Sequence, residues 1–125
     1  MRWVVVLFLG GMLIVAGGGC AMLQDNTEEM PRYKSPSELY DKALGYYQSG
    51  QYAKAKELFH QYIGQYPDSL IYKTALYELA HCYQMLGETK EALALYNRLV
   101  TTYGDQDFWG DQAMQRIKQI NGEAL

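Results

Sequence analysis

The sequence predicts an all-α protein built as a stack of antiparallel helix pairs. Three observations carry that expectation. Residues 39–66 return as residues 76–103, thirty-seven positions later, with Leu39, Tyr40, Ala43, Tyr46, Gly50, Ala55, Leu58 and Tyr66 reappearing as Leu76, Tyr77, Ala80, Tyr83, Gly87, Ala92, Leu95 and Tyr103. Within each copy the apolar residues fall at helical spacing, forming one stripe per helix. Gly50 and Gly87 divide each copy at the same place, where a left-handed residue ends a helix. A repeat of this length is one supersecondary unit that buries the apolar face of its neighbour. Chains of this kind usually offer a surface to a partner and carry no reaction chemistry.

Each helix announces its ends. Ser35-Pro36-Ser37-Glu38 opens the first: Ser35 caps, Pro36 fits the first turn, and Glu38 can reach back as a capping box. This helix is expected to run to about Ser49. The second starts near Tyr52 and carries Ala55, Leu58, Phe59, Tyr62, Ile63 and Tyr66 as its stripe. Pro67 and Asp68 stop it, because a residue before proline is pushed out of the α region. The third is expected to start at Asp68 or Ser69, bury Leu76, Leu79, Ala80 and Tyr83, and end at Gly87. The fourth repeats the second through Ala92, Leu95, Tyr96, Leu99, Val100 and Tyr103, and Gly104 closes it. Asp107 caps a fifth helix, Phe108 to about Asn121, which Gly122 ends. A further shift of thirty-seven converts Leu76, Ala80 and Tyr83 into Ala113, Ile117 and Ile120, so this helix is half a repeat covering the open side of the second.

The segment before the repeats divides in two. Met1-Arg2 gives a positive start, Trp3 to Ala16 is an apolar run, and Gly17-Gly18-Gly19 leads into Cys20. A charged tip, a short apolar core and a small-residue exit form the layout of a secretory signal. A cysteine directly after the small residues resembles the bacterial lipoprotein signal, with Gly17 where that signal usually has a leucine-like residue. The resemblance implies a signal peptide over 1–19 and lipidation of Cys20, which becomes the new N-terminus. With Ala21 and Met22 in place of an aspartate after Cys20, it also implies sorting to an outer membrane, facing the periplasm. The alternative is an uncleaved anchor, since Trp3 to Leu23 has about the 20 residues a spanning helix needs. Residues 20–34 then act as a flexible tether, with a reach of about 20 Å, and residues 35–122 form the helical domain.

The pattern Gly50-x-Tyr52-x-x-Ala55-x-x-x-Phe59, with Pro67 eight residues on, resembles the tetratricopeptide repeat. Gly87, Ala92 and Tyr96 match it again, with Thr89 in place of the aromatic and Gly104 in place of the proline. The resemblance implies a right-handed superhelix of two repeats plus a C-terminal capping helix. The longer spacing and the Tyr66-Pro67-Asp68-Ser69 stretch resemble tetratricopeptide lipoproteins of bacterial envelope biogenesis, those of β-barrel assembly and of Tol–Pal coordination. In such superhelices the first helix of each pair lines a concave face. The positions matching that face include Tyr40, Leu44, Tyr47 and Gln48 in one repeat and Tyr77, His81, Gln84 and Met85 in the next. Apolar surfaces with polar tips favour an extended peptide or a partner's helix. The alternative is packing: Tyr40 and Tyr77 in helical register suit the space between repeats equally well.

Composition excludes several classes. The chain has 11 basic and 14 acidic residues and no Lys/Arg cluster, which argues against a nucleic-acid partner. Twelve tyrosines against 3 phenylalanines and 2 tryptophans suit half-buried seams and binding grooves alike. His60 and His81 fall on different helices with no third ligand at metal spacing, so neither a metal nor another cofactor is expected. Cys82 sits beside His81, but adjacent helical residues diverge, and a small buried thiol is expected instead. Glu57 with Lys54, and Glu88 with Lys90, read as surface charges. With no nucleophile, phosphate loop or acid/base dyad, no enzyme and no small-molecule substrate are expected. The reading is a membrane-tethered scaffold of the cell envelope that holds a protein or peptide partner. The alternative is a self-associating subunit or an accessory of a secretion or pilus machine, with Trp109 as a contact.

Overall fold

The computed structural model describes residues 32–124. The expected signal segment, Cys20 and most of the tether lie outside the described residues. Five helices follow in order: α1 Pro36–Gln48, α2 Tyr52–Gln65, α3 Tyr72–Met85, α4 Thr89–Tyr103 and α5 Phe108–Asn121. No strand occurs among the described residues. The architecture is all-α, two antiparallel helix pairs and a final single helix.

Local chemistry sets these ends. Ser35 Oγ accepts from the Glu38 backbone N–H at 3.1 Å, and the Glu38 carboxylate reaches back to the Lys34 N–H at 2.8 Å. One donor of the first turn and the donor just before the cap are thereby satisfied. The turns after α1 and α3 are identical. Gly50 and Gly87 take φ of 77° and 76°, and the next residue's N–H crosses back to Tyr46 O or Tyr83 O at 2.9 Å. This six-residue closure satisfies carbonyls that would otherwise end the helix unpaired. At α5 the Asp107 carboxylate accepts from the N–H groups of Trp109 and Gly110, as a capping residue should.

One start differs from expectation. Helix α3 begins at Tyr72, and neither Asp68 nor Ser69 caps it. Ser69 is used by a turn: its Oγ lies 2.6 Å from Tyr62 Oη and accepts from the Ile71 N–H, while its carbonyl accepts from Tyr72 N–H. The hydroxyl is thus engaged before any helix can use it.

The interior forms two clusters that meet along α3. Ala75, Leu79 and Cys82 face Leu39, Ala43, Ala55, Phe59 and Tyr62. Leu76, Tyr77 and Ala80 face Ala92, Tyr96, Leu99 and Ala113. Helix α3 is therefore apolar on two sides, as a middle element of a stack must be. Ala43, Ala55, Ala80 and Ala92 are each 0% exposed, which fits small residues where helices approach closely. Helix α5 seals the second cluster with Ala113, Ile117, Ile120 and Trp109.

The contacts also give the stack its curvature. Helix α1 touches α3, and α3 touches α5, whereas α2 and α4 make no such contact. The first helices of the pairs crowd together and the second helices splay apart. The face made by α1, α3 and α5 is accordingly the inner, concave one.

Candidate functional site on the concave face

Helix α3 presents Thr74, Glu78, His81 and Met85 at spacings of four, three and four, one continuous stripe. That stripe points away from the buried Ala75, Leu76, Leu79, Ala80 and Cys82. Opposite it, α1 contributes Tyr40, Leu44 and Tyr47 as half-buried side chains and Gln48 as an exposed one. His81 and Gln84 are half-buried, and Met85 is exposed. Tyr77 is only 8% exposed, so its ring belongs to the interior of the second cluster.

Hydrogen bonds tie these groups together, both across and within the repeats. Tyr40 Oη donates to Glu78 Oε2 at 2.9 Å. Tyr47 Oη lies 2.6 Å from His81 Nδ1, with the two rings 5.6 Å apart edge to face. Tyr52 approaches both, 5.8 Å from the Tyr47 ring and 6.2 Å from that of His81. Arg116 Nε donates to Tyr77 Oη at 2.9 Å, and the Trp109 indole lies 5.1 Å from the Tyr77 ring. Tyr96 Oη donates to Gln84 Oε1 at 2.9 Å.

The charges on this face are perturbed for clear reasons. Burial pushes the Glu78 carboxyl up to about 7, and the Tyr40 hydrogen bond opposes that rise only in part. Burial, then the nearby Arg116 charge, holds the His81 imidazole below its ordinary value, so it stays neutral at neutral pH. The Tyr47 hydroxyl is pushed up to about 12, first by burial and then by Glu78. Tyr40 is raised for the same two reasons.

Two side chains here escaped the sequence reading, Glu78 and Arg116. Glu78 lies in the same stripe as Thr74 and His81, so the helical spacing carried its signal. Arg116 becomes visible only once α5 is known to lie beside Tyr77. Two expected surface features also change. Glu88 pairs with Lys56 at 3.1 Å, across the repeats, instead of standing as a simple surface charge near Lys90. Trp109 packs on Tyr77, and the ring left open beside it is Phe108, 65% exposed.

Cys82 is 0% exposed, and burial pushes its thiol up to about 12, which leaves it without thiolate character at neutral pH. His60 bonds Tyr83, away from His81. Among the described residues no group of three His, Cys, Asp or Glu is arranged to hold a metal ion. What the concave face offers is shape, aromatic surface and directed polar tips. Those are means of recognition.

The model of the family described as Tetratricopeptide repeat matches residues 46–117, more than half of the chain. The chain belongs to the tetratricopeptide repeat family. The match runs from the end of α1 into α5 and so covers the positive-φ glycines Gly50, Gly87 and Gly104. Comparison with curated proteins and with solved structures returned no match. Tetratricopeptide repeats typically serve as non-catalytic protein-interaction modules, which agrees with a face built for recognition.

Proposed function

We propose that this tetratricopeptide protein is a membrane-tethered scaffold of the bacterial cell envelope that holds a protein or peptide partner in its concave face. The observation that carries the reading is the state of the inner helices. Tyr40, Leu44, Tyr47, Gln48, His81, Gln84 and Met85 stay partly or fully accessible, while the polar tips of Tyr40, Tyr47, His81 and Gln84 are fixed by neighbours. A surface already held in one geometry loses less freedom when a partner arrives. Tyr77 acts from beneath, through the hydroxyl that anchors Arg116.

The tether half of the proposal rests on the amino-acid pattern of residues 1–34. The apolar run ending in Gly17-Gly18-Gly19-Cys20 supports cleavage before Cys20, lipidation there and an outer-membrane location facing the periplasm. Lipid chains contribute about 0.8 kcal/mol per buried CH₂, so more than one chain holds a protein firmly. The long-spaced repeat supports a role near β-barrel assembly or a Tol–Pal-like complex. No helix among the described residues is long and apolar enough to cross a membrane.

Two measurements test the two halves separately. Mass spectrometry of the mature protein is expected to give a lipid-modified Cys20; an intact Met1 would refute cleavage and lipidation, and release of the chain from membranes by carbonate without detergent would refute the tether. Replacing Tyr47, His81 and Gln84 together by alanine is expected to abolish partner capture from solubilised envelope while helical content is kept. Undiminished capture would refute the groove.

A further inference from the structure

Glu78 stands out on the concave face because its charge is sunk and unanswered. Its Oε2 is held by Tyr40 at 2.9 Å, but its Oε1 makes no hydrogen bond to a described residue. Among the described residues no buried side-chain oxygen or nitrogen is left without a partner, and Glu78 itself is only half-buried, which fits an Oε1 on the open side of the face. Glu78 forms no ion pair with a described residue, whereas Glu88 has Lys56 and Asp107 has Lys73 at 2.6 Å. The positions thirty-seven residues before and after it, Asp41 and Gln115, are both exposed. Only at the middle position is a carboxylate drawn into the face. Arg116, the basic group nearest the Tyr77 hydroxyl, is already committed: it donates to Tyr77 and to Gln119.

We propose that Glu78 is the cation-reading point of the groove, and that its outward oxygen receives the ammonium or guanidinium of a lysine or arginine in an extended partner segment. The proposal rests on the concave face being the partner groove and names the chemistry that this groove selects. Charge complementarity decides the occupant. A half-buried carboxylate lacking a cation is a cost to the folded chain, and an arriving ammonium offsets it. The Tyr40 hydroxyl fixes one oxygen and thereby aims the other, so the bound charge meets a set geometry. An acidic partner side chain would instead place two carboxylates together, which is repulsive. The tyrosine rings of Tyr40 and Tyr47, both within the electrostatic reach of Glu78, add faces on which a long aliphatic cation can lie.

The experiment uses the full chain in detergent and two short extended Ala/Ser peptides, one with a central lysine and one with norleucine in its place. Carbon-13 NMR follows the Glu78 carboxyl. The lysine peptide is expected to bind about ten-fold tighter than its norleucine twin and to lower the Glu78 titration midpoint. Glu78→Gln is expected to erase that ten-fold preference, and Glu91→Gln, an exposed acid on α4, to leave it intact. Melting curves check that Glu78→Gln folds; the midpoint shift in the parent chain does not depend on that variant. Equal binding of the two peptides, absence of lysine-peptide binding at millimolar concentration, or a preference that survives Glu78→Gln would overturn the proposal. If the peptides bind alike and the Tyr47, His81 and Gln84 alanine variant weakens both, the groove stands and only its charge selectivity fails.

Discussion

Tyr40 and Tyr77 are the same residue at the same place in two successive repeats, yet the structure uses them in opposite ways. Tyr40 is half-buried and donates to a carboxylate, Glu78, on the next inner helix. Tyr77 is 8% exposed and accepts from a guanidinium, Arg116, on the helix after that. The first seam is open and acidic; the second is closed by Trp109 and basic. A repeat therefore fixes where a side chain stands, and the neighbouring helix decides what it does. The open seam is the one equipped for company.

The largest effect should come from breaking the closed seam. A Cβ on Gly110 would sit 1.8 Å from Gly104 O, a backbone atom that cannot swing aside. Gly110→Ala should cost about 3 kcal/mol in thermal or denaturant unfolding. It should also expose Tyr77, seen as loss of its contact with Trp109 in near-ultraviolet circular dichroism. A variant as stable as the parent would mean that α5 does not close the second seam this tightly.

The two turns give a control, because there the repeats do not differ. Gly50→Ala and Gly87→Ala force an L residue to φ near 77° and 76°, with nothing within 4 Å of the new methyl. Each should cost about 1–2 kcal/mol from backbone strain alone, and the two losses should match. Unequal melts would show that the turns are less alike than their hydrogen bonds indicate.

Removing the two hydroxyls sharpens the contrast. Tyr77→Phe takes a charged hydrogen bond from a covered site and should cost about 1.5 kcal/mol. Tyr40→Phe lies on the open side and should cost less, while raising the Glu78 midpoint further, because the Tyr40 hydrogen bond lowers it. Equal stability losses and an unmoved Glu78 would erase the distinction between the seams.

The smallest effect is read from pH. The Glu78 carboxyl titrates near 7 in the folded chain against 4.5 as its ordinary value. The folded state therefore holds a proton that the unfolded state has released between these values, and this contribution to stability falls as pH rises from 4.5 to 7. Glu78→Gln should remove that decline. At pH 8 the variant should be more stable than the parent by on the order of 1 kcal/mol, the solvent exposure of the group screening the rest. Parallel stability profiles for parent and variant would show that the carboxyl is not sunk.

What the sequence disclosed depended on distance along the chain. The thirty-seven-residue repeat, the glycines at 50 and 87 and the Asp107 cap are signals written within a few residues of where they act, and all appear in the fold. The alanines at 43, 55, 80 and 92 were legible because repetition marked them. Features made by two distant segments were not. Ser69 reads as a helix start, but Tyr62 engages its hydroxyl and the helix begins at Tyr72. Nothing near Gly110 in the sequence marks it; its need for glycine comes from Gly104, whose carbonyl oxygen lies against it. The depth of Tyr77 and the isolation of Glu78 are set by α5 and α1, and no spacing rule within α3 reports them.

The most direct measurement is site-specific photocrosslinking in intact cells, with the probe placed in turn at Thr74 on the inner stripe and at Asn97, exposed on the splayed outer helix α4. A partner adduct from Thr74, absent from Asn97 and lost when Tyr47, His81 and Gln84 are alanine, is the predicted result. Adducts from Asn97 alone would place the partner on the convex side and contradict the account.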